Sequence, residues 1–171
     1  MEKGFTLVEM LLVVLIIAVM SSISFQIYKQ GEVKINLQRT ANKIVQDIKR
    51  VQEMAIATKE FRGIIPRGYG VYFNLSHSEY TLFADCDSDG DYDKVGNPCN
   101  GFPEKIKKVE IEKEVKISSL SPSSPLTVIF LPPDPITEVN HTTSTLAEII
   151  LQSKNSTTSI KILPTGLIYA E

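Results

Sequence analysis

Hydrophobic residues are distributed unevenly along the chain. Residues 5–25 are apolar almost without interruption, and Glu9 is the one charged residue among them. Further along, apolar residues recur every three or four positions, at Leu37, Ala41, Ile44, Ile48, Val51 and Ala55. This spacing places them on one face of a helix. The two patterns together predict one continuous helix from residue 5 to about residue 58, apolar all round in its first half and amphipathic in its second.

After residue 61 the hydrophobic period changes from 3.6 to 2, which is typical of half-buried strands. The predicted strands cover residues 70–74, 80–84, 108–117, 126–131, 146–152, 159–163 and 167–169. Segments rich in Ser, Pro and Asn separate them and predict turns. The predicted fold class is therefore α+β, with a long N-terminal α-helix packed on an antiparallel β-sheet head.

The apolar N-terminal segment is open to three interpretations. A cleaved secretory signal peptide has an apolar core of about 7–15 residues and a small-residue cleavage site, but this run is longer and no A-x-A pattern follows it. A simple membrane anchor fits the length, since about 20 residues span the hydrocarbon layer. The anchor alone does not explain Glu9, because a carboxylate at the centre of a membrane helix costs about 2.5–3.5 kcal/mol.

The third interpretation rests on the stretch GFTLVE at residues 4–9, which resembles the processing site of the type IV pilin superfamily. The resemblance implies cleavage between Gly4 and Phe5 by a prepilin peptidase, followed by methylation of the new Phe5 amine. It also implies that Glu9 acts in assembly. An ammonium at Phe5 of one subunit and the carboxylate of Glu9 on its neighbour attract strongly in a low-dielectric environment.

The resemblance also implies a division of the chain and a location for it. Residues 1–4 would be the leader peptide, 5–28 the transmembrane and filament-core half of the helix, 29–60 its amphipathic half, and 61–171 the globular head. The expected location is the bacterial inner membrane, crossed once, with the head on the periplasmic side and the subunit incorporated into a pseudopilus or pilus. The expected partners are other pseudopilins or pilins through the N-terminal helix, the prepilin peptidase/methylase and the inner-membrane assembly platform.

An acidic segment between the second and third predicted strands offers candidate metal ligands. Its carboxylates are Asp85, Asp87, Asp89, Asp91 and Asp93. Their alternate spacing, with Gly90 at the sixth position, matches the first half of an EF-hand-type calcium loop. Gly96 stands at the twelfth position, where that loop has a bidentate glutamate, so another oxygen would be needed. A Ca²⁺ site and a solvated acidic tip that binds nothing specific both remain open.

The chain has two cysteines, Cys86 and Cys99, and they bracket this acidic segment. A bond between them would restrict the unfolded chain and stabilise the fold by about 3 kcal/mol in the entropy model. Because the processing site places the head outside the cytosol, we expect a disulfide there. Two free thiols are the alternative.

The acidic segment after the strand YTLFA resembles the head of H-type minor pseudopilins of type II secretion and of the related FimT-like minor pilins. The first resemblance implies a structural subunit in the tip region of a pseudopilus that assists export of folded proteins. The second implies a minor pilin of a type IV pilus, acting in assembly initiation or DNA uptake. Nucleic-acid binding is disfavoured, because the net charge is −2 and the C-terminal region offers only Lys154 and Lys161,.

No enzyme is predicted. The sequence contains no G-x-S-x-G, no H-E-x-x-H and no phosphate-binding glycine loop,. His77 and His141 lie in polar, turn-like segments and are expected at the surface. The aspartates alone do not suggest catalysis, because no histidine or lysine that could act as a base is expected beside them.

Overall fold

The computed structural model describes residues 4, 6–133 and 136–171, and the side chains of these except over residues 23–30. In this part of the chain one helix, α1 (Leu7–Ile56), precedes all of the strands. Thr6 caps it, because Thr6 Oγ1 accepts a hydrogen bond from the backbone N of Glu9 at 3.3 Å,. The prediction of a single long helix is confirmed, with both ends close to the predicted ones.

The second half of α1 buries the face that the sequence predicts. Leu37, Ala41, Ile44, Ile48, Val51 and Ala55 are each at most 1% exposed. The opposite face carries basic side chains and is exposed, at Lys34, Arg39, Lys43, Lys49 and Arg50. The amphipathic pattern therefore marks the side of α1 that contacts the head.

Nine strands follow α1 in the described residues. They are β1 (Gly68–Phe73), β2 (Glu79–Asp85), β3 (Lys105–Glu110), β4 (Lys116–Ser121), β5 (Leu126–Leu131), β6 (Ile136–Val139), β7 (Ala147–Ser153), β8 (Ser156–Ile162) and β9 (Ile168–Ala170). They form a five-stranded sheet of order β3-β2-β1-β5-β6 and a four-stranded sheet of order β4-β7-β8-β9. Every pairing is antiparallel, so the α+β fold class is confirmed.

The predicted single strand over residues 108–117 is wrong. The chain breaks there into β3 and β4, which belong to different sheets. Between them, Val115 N donates to Glu112 O at 2.9 Å and closes a turn. Ile111 and Val115 are both buried, so the alternation of apolar residues continues through the turn and hides it. β6 was not predicted, because its four residues include only two large apolar side chains.

The core lies between α1 and the two sheets. α1 packs against β1 and β5 of the five-stranded sheet and against β7, β8 and β9 of the other. Polar contacts attach it to both. Tyr80 OH on β2 donates to Asp47 Oδ2 at 2.5 Å, and Gln52 Nε2 donates to Gly166 O at 2.9 Å. Burial, reinforced by the hydrogen bond to Asp47, raises the pKa of Tyr80, so its phenol stays protonated as a donor,.

Gly70 in β1 allows a close approach on the face of the five-stranded sheet turned away from α1. It pairs with Phe83 of β2. A Cβ at Gly70 would lie 2.5 Å from the Phe83 ring and 2.8 Å from Val128 O. Only glycine therefore leaves room for this ring to lie across β1. The acidic segment that follows β2 packs on the Phe83 ring.

Candidate functional site

The acidic segment begins a long loop, residues 86–104, between β2 and β3. The loop folds back over the sheet face turned away from α1, and Tyr92 is its contact there. The Tyr92 ring centroid lies 5.5 Å from that of Phe83 and 5.4 Å from that of Tyr72. Burial raises the pKa of Tyr92. Aromatic packing thus holds the middle of the loop on the head.

Three of the predicted ligands come together. Carboxylate oxygens of Asp85, Asp87 and Asp89 lie within 4.8 Å of one another. Asp85 is fully buried at the end of β2, whereas Asp87 and Asp89 are exposed. Gly90 follows with a φ of +84°, which gives the sharp turn expected at the sixth position,.

The remaining two aspartates behave differently. Asp91 turns away from the group, because its Oδ1 accepts from Thr127 Oγ1 at 3.3 Å and its Oδ2 lies 3.0 Å from His141 Nε2. In an EF-hand the seventh position binds through its backbone carbonyl, so this orientation agrees with the alignment. Burial, and then the negative charge of Asp89 and other aspartates of the loop, raises the pKa of Asp93. Asp93 is not one of the three aspartates whose carboxylate oxygens converge.

Backbone N–H groups satisfy part of the negative charge. Asp85 Oδ1 accepts from Ser88 N at 2.8 Å, and Asp87 Oδ1 accepts from Asp89 N at 3.3 Å. Asp89 Oδ1 accepts from Asp91 N at 2.8 Å. These bonds are the local turns that aspartate favours in loops. The carboxylates therefore order their own loop while keeping further lone pairs free.

Sequence reasoning missed the cationic side of the site. Arg67, just before β1, places Nη1 3.3 Å from Asp85 Oδ2 and Nη2 2.9 Å from Glu138 Oε2. A Cβ at Gly90 would lie 2.9 Å from His141 Nδ1 and 3.1 Å from Arg67 Nη1, so a larger residue there would shift these two side chains. The expectation that no histidine lies beside the aspartates is wrong, since His141 reaches Asp91 from 50 residues away in sequence.

Glu104 was also missed, and it joins the two ends of the acidic segment. It is 0% exposed, its Oε1 accepts from Cys86 N at 2.8 Å, and its Oε2 accepts from Asp93 N at 3.1 Å. Burial raises the pKa of Glu104 to about 7, the charges of Asp87 and Asp85 add to the rise, and the two N–H bonds oppose it,. The sequence around Glu104 shows only a polar loop after a proline, which gives no signal for this role.

The predicted disulfide is confirmed. Cys86 and Cys99 are bonded, with their Cα atoms 5.3 Å apart. Both sulfurs are therefore committed to each other, and neither is available as a thiolate ligand beside Glu104. The bond and Glu104 act on the same segment, because each fixes Cys86 to a later part of the loop.

The donor set fits a hard cation. Carboxylates at the first, third and fifth positions converge, as oxygen-only coordination of calcium requires,. Arg67 already holds one oxygen of Asp85, so part of the charge that a cation would balance is met by the protein itself. The Ca²⁺ site over Asp85, Asp87, Asp89, Asp91 and Asp93 stays a prediction.

The N-terminal segment is a second candidate site. Glu9 lies in the first turn of α1, three residues after the Thr6 cap, and is exposed. The large apolar side chains on either side of it are exposed too, from Leu7 at 80% to Met20 at 66%. Gly4 lies within the described residues and Phe5 outside them, so the cleavage position and the Glu9 pairing stay predictions.

Ser21 and Ser22 directly follow this apolar stretch. Ser21 Oγ donates to Ile17 O at 2.8 Å, and Ser22 Oγ donates to Ala18 O at 2.9 Å. Both hydroxyls are thus satisfied inside the helix. Across the described residues, no helix contains an apolar stretch long enough to cross a membrane. The boundaries of the membrane half at residues 5–28 and of the amphipathic half at 29–60 stay predictions.

Residues 1–25 match the family model of the prokaryotic N-terminal methylation motif. This match supports a type IV pilin-like protein. The motif belongs to a structural rather than an enzymatic family, and it implies processing by a prepilin peptidase and assembly into pilus-like filaments. No curated protein and no solved structure matches the chain. The motif covers the N-terminal segment and leaves the head to be interpreted from its own geometry.

We expect calcium to stabilise the protein through the acidic loop. At about a hundredfold excess over the dissociation constant, bound calcium adds about 2.7 kcal/mol, or about 5–10 °C in melting temperature. Calorimetry of the full chain in detergent micelles, with calcium or with chelator, measures this shift. The double variant Asp87→Asn/Asp89→Asn should lose it, and Glu112→Gln, exposed outside the loop, should keep it. Equal melting temperatures with and without calcium would contradict the prediction.

We also expect the stability of the chelated protein to fall as the pH rises from about 4.5 to about 7. Glu104 has a usual pKa of 4.5 and about 7 when folded, so the folded state holds more protons across this range,. The loss is on the order of 3 kcal/mol. Asp85 and Asp93 act in the same direction, because their pKa values are also raised. Urea denaturation across this range measures the slope.

Glu104→Gln removes the titrating group and should flatten this pH dependence. Glu110→Gln is the matched control, because Glu110 is exposed on the neighbouring strand β3 and should leave the slope unchanged. Asp85 and Asp93 should leave a smaller slope in Glu104→Gln, and a slope as steep as that of the unsubstituted protein would show that Glu104 does not titrate as its burial requires.

Proposed function

We propose that this protein is an H-type minor pseudopilin, a structural subunit in the tip region of a type II secretion pseudopilus that assists export of folded proteins. It is anchored in the bacterial inner membrane with its head on the periplasmic side and has no enzymatic role. The observation that carries the proposal is the N-terminal methylation motif, which continues directly into an exposed apolar helix segment.

The exposed half of α1 supports assembly with other helices. From Leu7 to Met20 the large apolar side chains are exposed on every side of the helix, so no single face is set aside for the head. A helix that is apolar all round is stable where lipid or other apolar helices surround it. A membrane before assembly and a filament core after it both supply such surroundings. The same segment therefore serves as anchor and as assembly surface.

Glu9 supports a specific register in that assembly. It interrupts the apolar segment in the first turn of α1, where the partial positive charge of the helix N-terminus favours a carboxylate,. Away from water, a carboxylate without a partner is costly, and an ammonium at short range offsets that cost. The new amine of Phe5 on a neighbouring subunit provides this ammonium. Subunits that stack with the wrong stagger would leave both charges unpaired.

The head supports the choice of branch. The acidic loop after β2, in an antiparallel β-rich head, is the feature on which the resemblance to H-type heads rests. A FimT-like minor pilin of a type IV pilus is the second candidate, because the N-terminal methylation motif serves pilins and pseudopilins alike. The prepilin peptidase and an inner-membrane assembly platform are partners in either case.

The mature protein should begin at Phe5. Cleavage after Gly4 releases the four-residue leader, and N-methylation adds one methyl group to the new amine. Mass spectrometry of the N-terminal peptide of protein extracted from the native membrane measures both changes. A peptide that still begins at Met1, or one cut after Ser24, would contradict processing by a prepilin peptidase.

Glu9→Ala should leave membrane insertion intact and lower incorporation into filaments by more than about tenfold, because it leaves an unpaired ammonium in an apolar environment. The amount of this subunit in sheared filaments, compared with the amount in the membrane fraction, measures the effect, and export of folded proteins should fall with it. Glu32→Ala is the matched control, since Glu32 is exposed further along α1.

Normal incorporation of the Glu9→Ala subunit would contradict the pairing. Loss of pili with protein export intact would favour the FimT-like minor pilin over the pseudopilin.

A further inference from the structure

A groove of about 230 Å³ lies on the face of the five-stranded sheet turned away from α1. Two tyrosines from different parts of the chain form its apolar side, Tyr72 on β1 and Tyr92 from the loop. Lysines form the other side, namely Lys94, Lys105 and Lys108. The groove is lined by the middle of the loop that carries the aspartates, but none of the aspartates lines it.

The groove carries an excess of positive charge. Lys108 is neutralised, because its Nζ lies 2.8 Å from Glu79 Oε2. Among the described residues, no carboxylate forms an ion pair with Lys94 or Lys105. Lys94 Nζ instead lies 4.9 Å over the Tyr72 ring. Two lysines beside a tyrosine pair are thus left to attract an anion, on a protein whose net charge is −2,.

The free edge of the sheet adjoins this groove. β3 is the edge strand, paired with β2 on one side only. An edge strand presents backbone N–H and C=O groups to which an extended segment can add a further strand. Lys105 and Lys107 are exposed on β3. Lysines on an edge strand disfavour pairing with an apolar or a basic strand. An acidic strand would instead balance their positive charge.

We propose that the β3 edge and the adjoining groove bind an acidic extended segment of a partner protein. The backbone of the segment would pair with β3, and a carboxylate side chain would enter the groove between Lys94 and Lys105. Its methylene groups would contact the Tyr72 and Tyr92 rings. The groove volume suits one such side chain rather than a larger ligand. This inference goes beyond filament assembly and does not use the N-terminal segment.

The test uses the full chain in detergent micelles and two fluorescent ten-residue peptides of alternating residues, one Glu-Val and one Lys-Val. Fluorescence anisotropy should show saturable binding of the glutamate peptide only. Lys94→Glu/Lys105→Glu should weaken that binding by more than about tenfold, as expected when a charge-assisted contact becomes a repulsion. Lys94→Gln should weaken it less while keeping the shape of the groove. Lys113→Glu, exposed in the turn between β3 and β4, is the matched control and should change affinity less than about twofold.

Three results would overturn the proposal. The first is that the glutamate peptide shows no saturable binding. The second is that Lys113→Glu weakens peptide binding as much as Lys94→Glu/Lys105→Glu does. The third is that a single-stranded DNA oligomer binds more tightly than the peptide and loses affinity with Lys94→Gln. Because the measurement uses unassembled protein, a negative result leaves the role in the filament untouched. A failure of filament incorporation would equally leave this surface standing.

Discussion

The apolar stripe of α1 supplies one wall of the core to two sheets that are not hydrogen-bonded to each other. Ile44, Ile48 and Val51 are fully buried, and each such side chain contributes about 1.5–3 kcal/mol relative to exposure,. Without α1, the inner faces of both sheets would be open to water. Because α1 is one continuous helix, the same packing fixes the direction in which its exposed apolar half leaves the head. Anchor and head are therefore coupled by a single element.

The acidic loop shows how the fold tolerates concentrated negative charge. Arg67 balances Asp85, His141 meets Asp91, and backbone N–H groups satisfy several of the remaining oxygens. Glu104 adds one more buried carboxylate, and its pKa is raised because burial disfavours the charged form. The loop is ordered by contacts of the chain itself, so a cation would strengthen an existing arrangement rather than create it. The pKa values of Asp85 and Asp93 are raised, and a cation beside these carboxylates would lower them,.

Local spacing explains what the sequence could predict. The stripe on α1 and the turn at Gly90 follow from neighbours a few residues apart, and both agree with the structure. The division of residues 108–117 between two sheets depends on which strand lies beside each half. The alternation of apolar residues is the same for one continuous strand and for two strands. Arg67 and Glu104 reach the acidic segment from distant positions, and neither stands in a recognisable motif. The acidic segment could thus be found from sequence, but its counter-charges could not.

The loop also links two chemically different surfaces. Its first part gathers the exposed carboxylates of Asp87 and Asp89, and its next part places Tyr92 on the sheet and Lys94 over Tyr72. Glu104 holds the backbone of Asp93, which lies directly between Tyr92 and Lys94. The basic groove and the acidic segment are therefore joined through one fixed residue, because a part-buried hydrogen bond to Glu104 holds the backbone of Asp93 between them. Tyr92 lies between the converging aspartates and Lys94 and packs on the Phe83 ring, which keeps these opposite charges apart on a short stretch of chain. The Phe83 ring can lie there because Gly70 has no side chain.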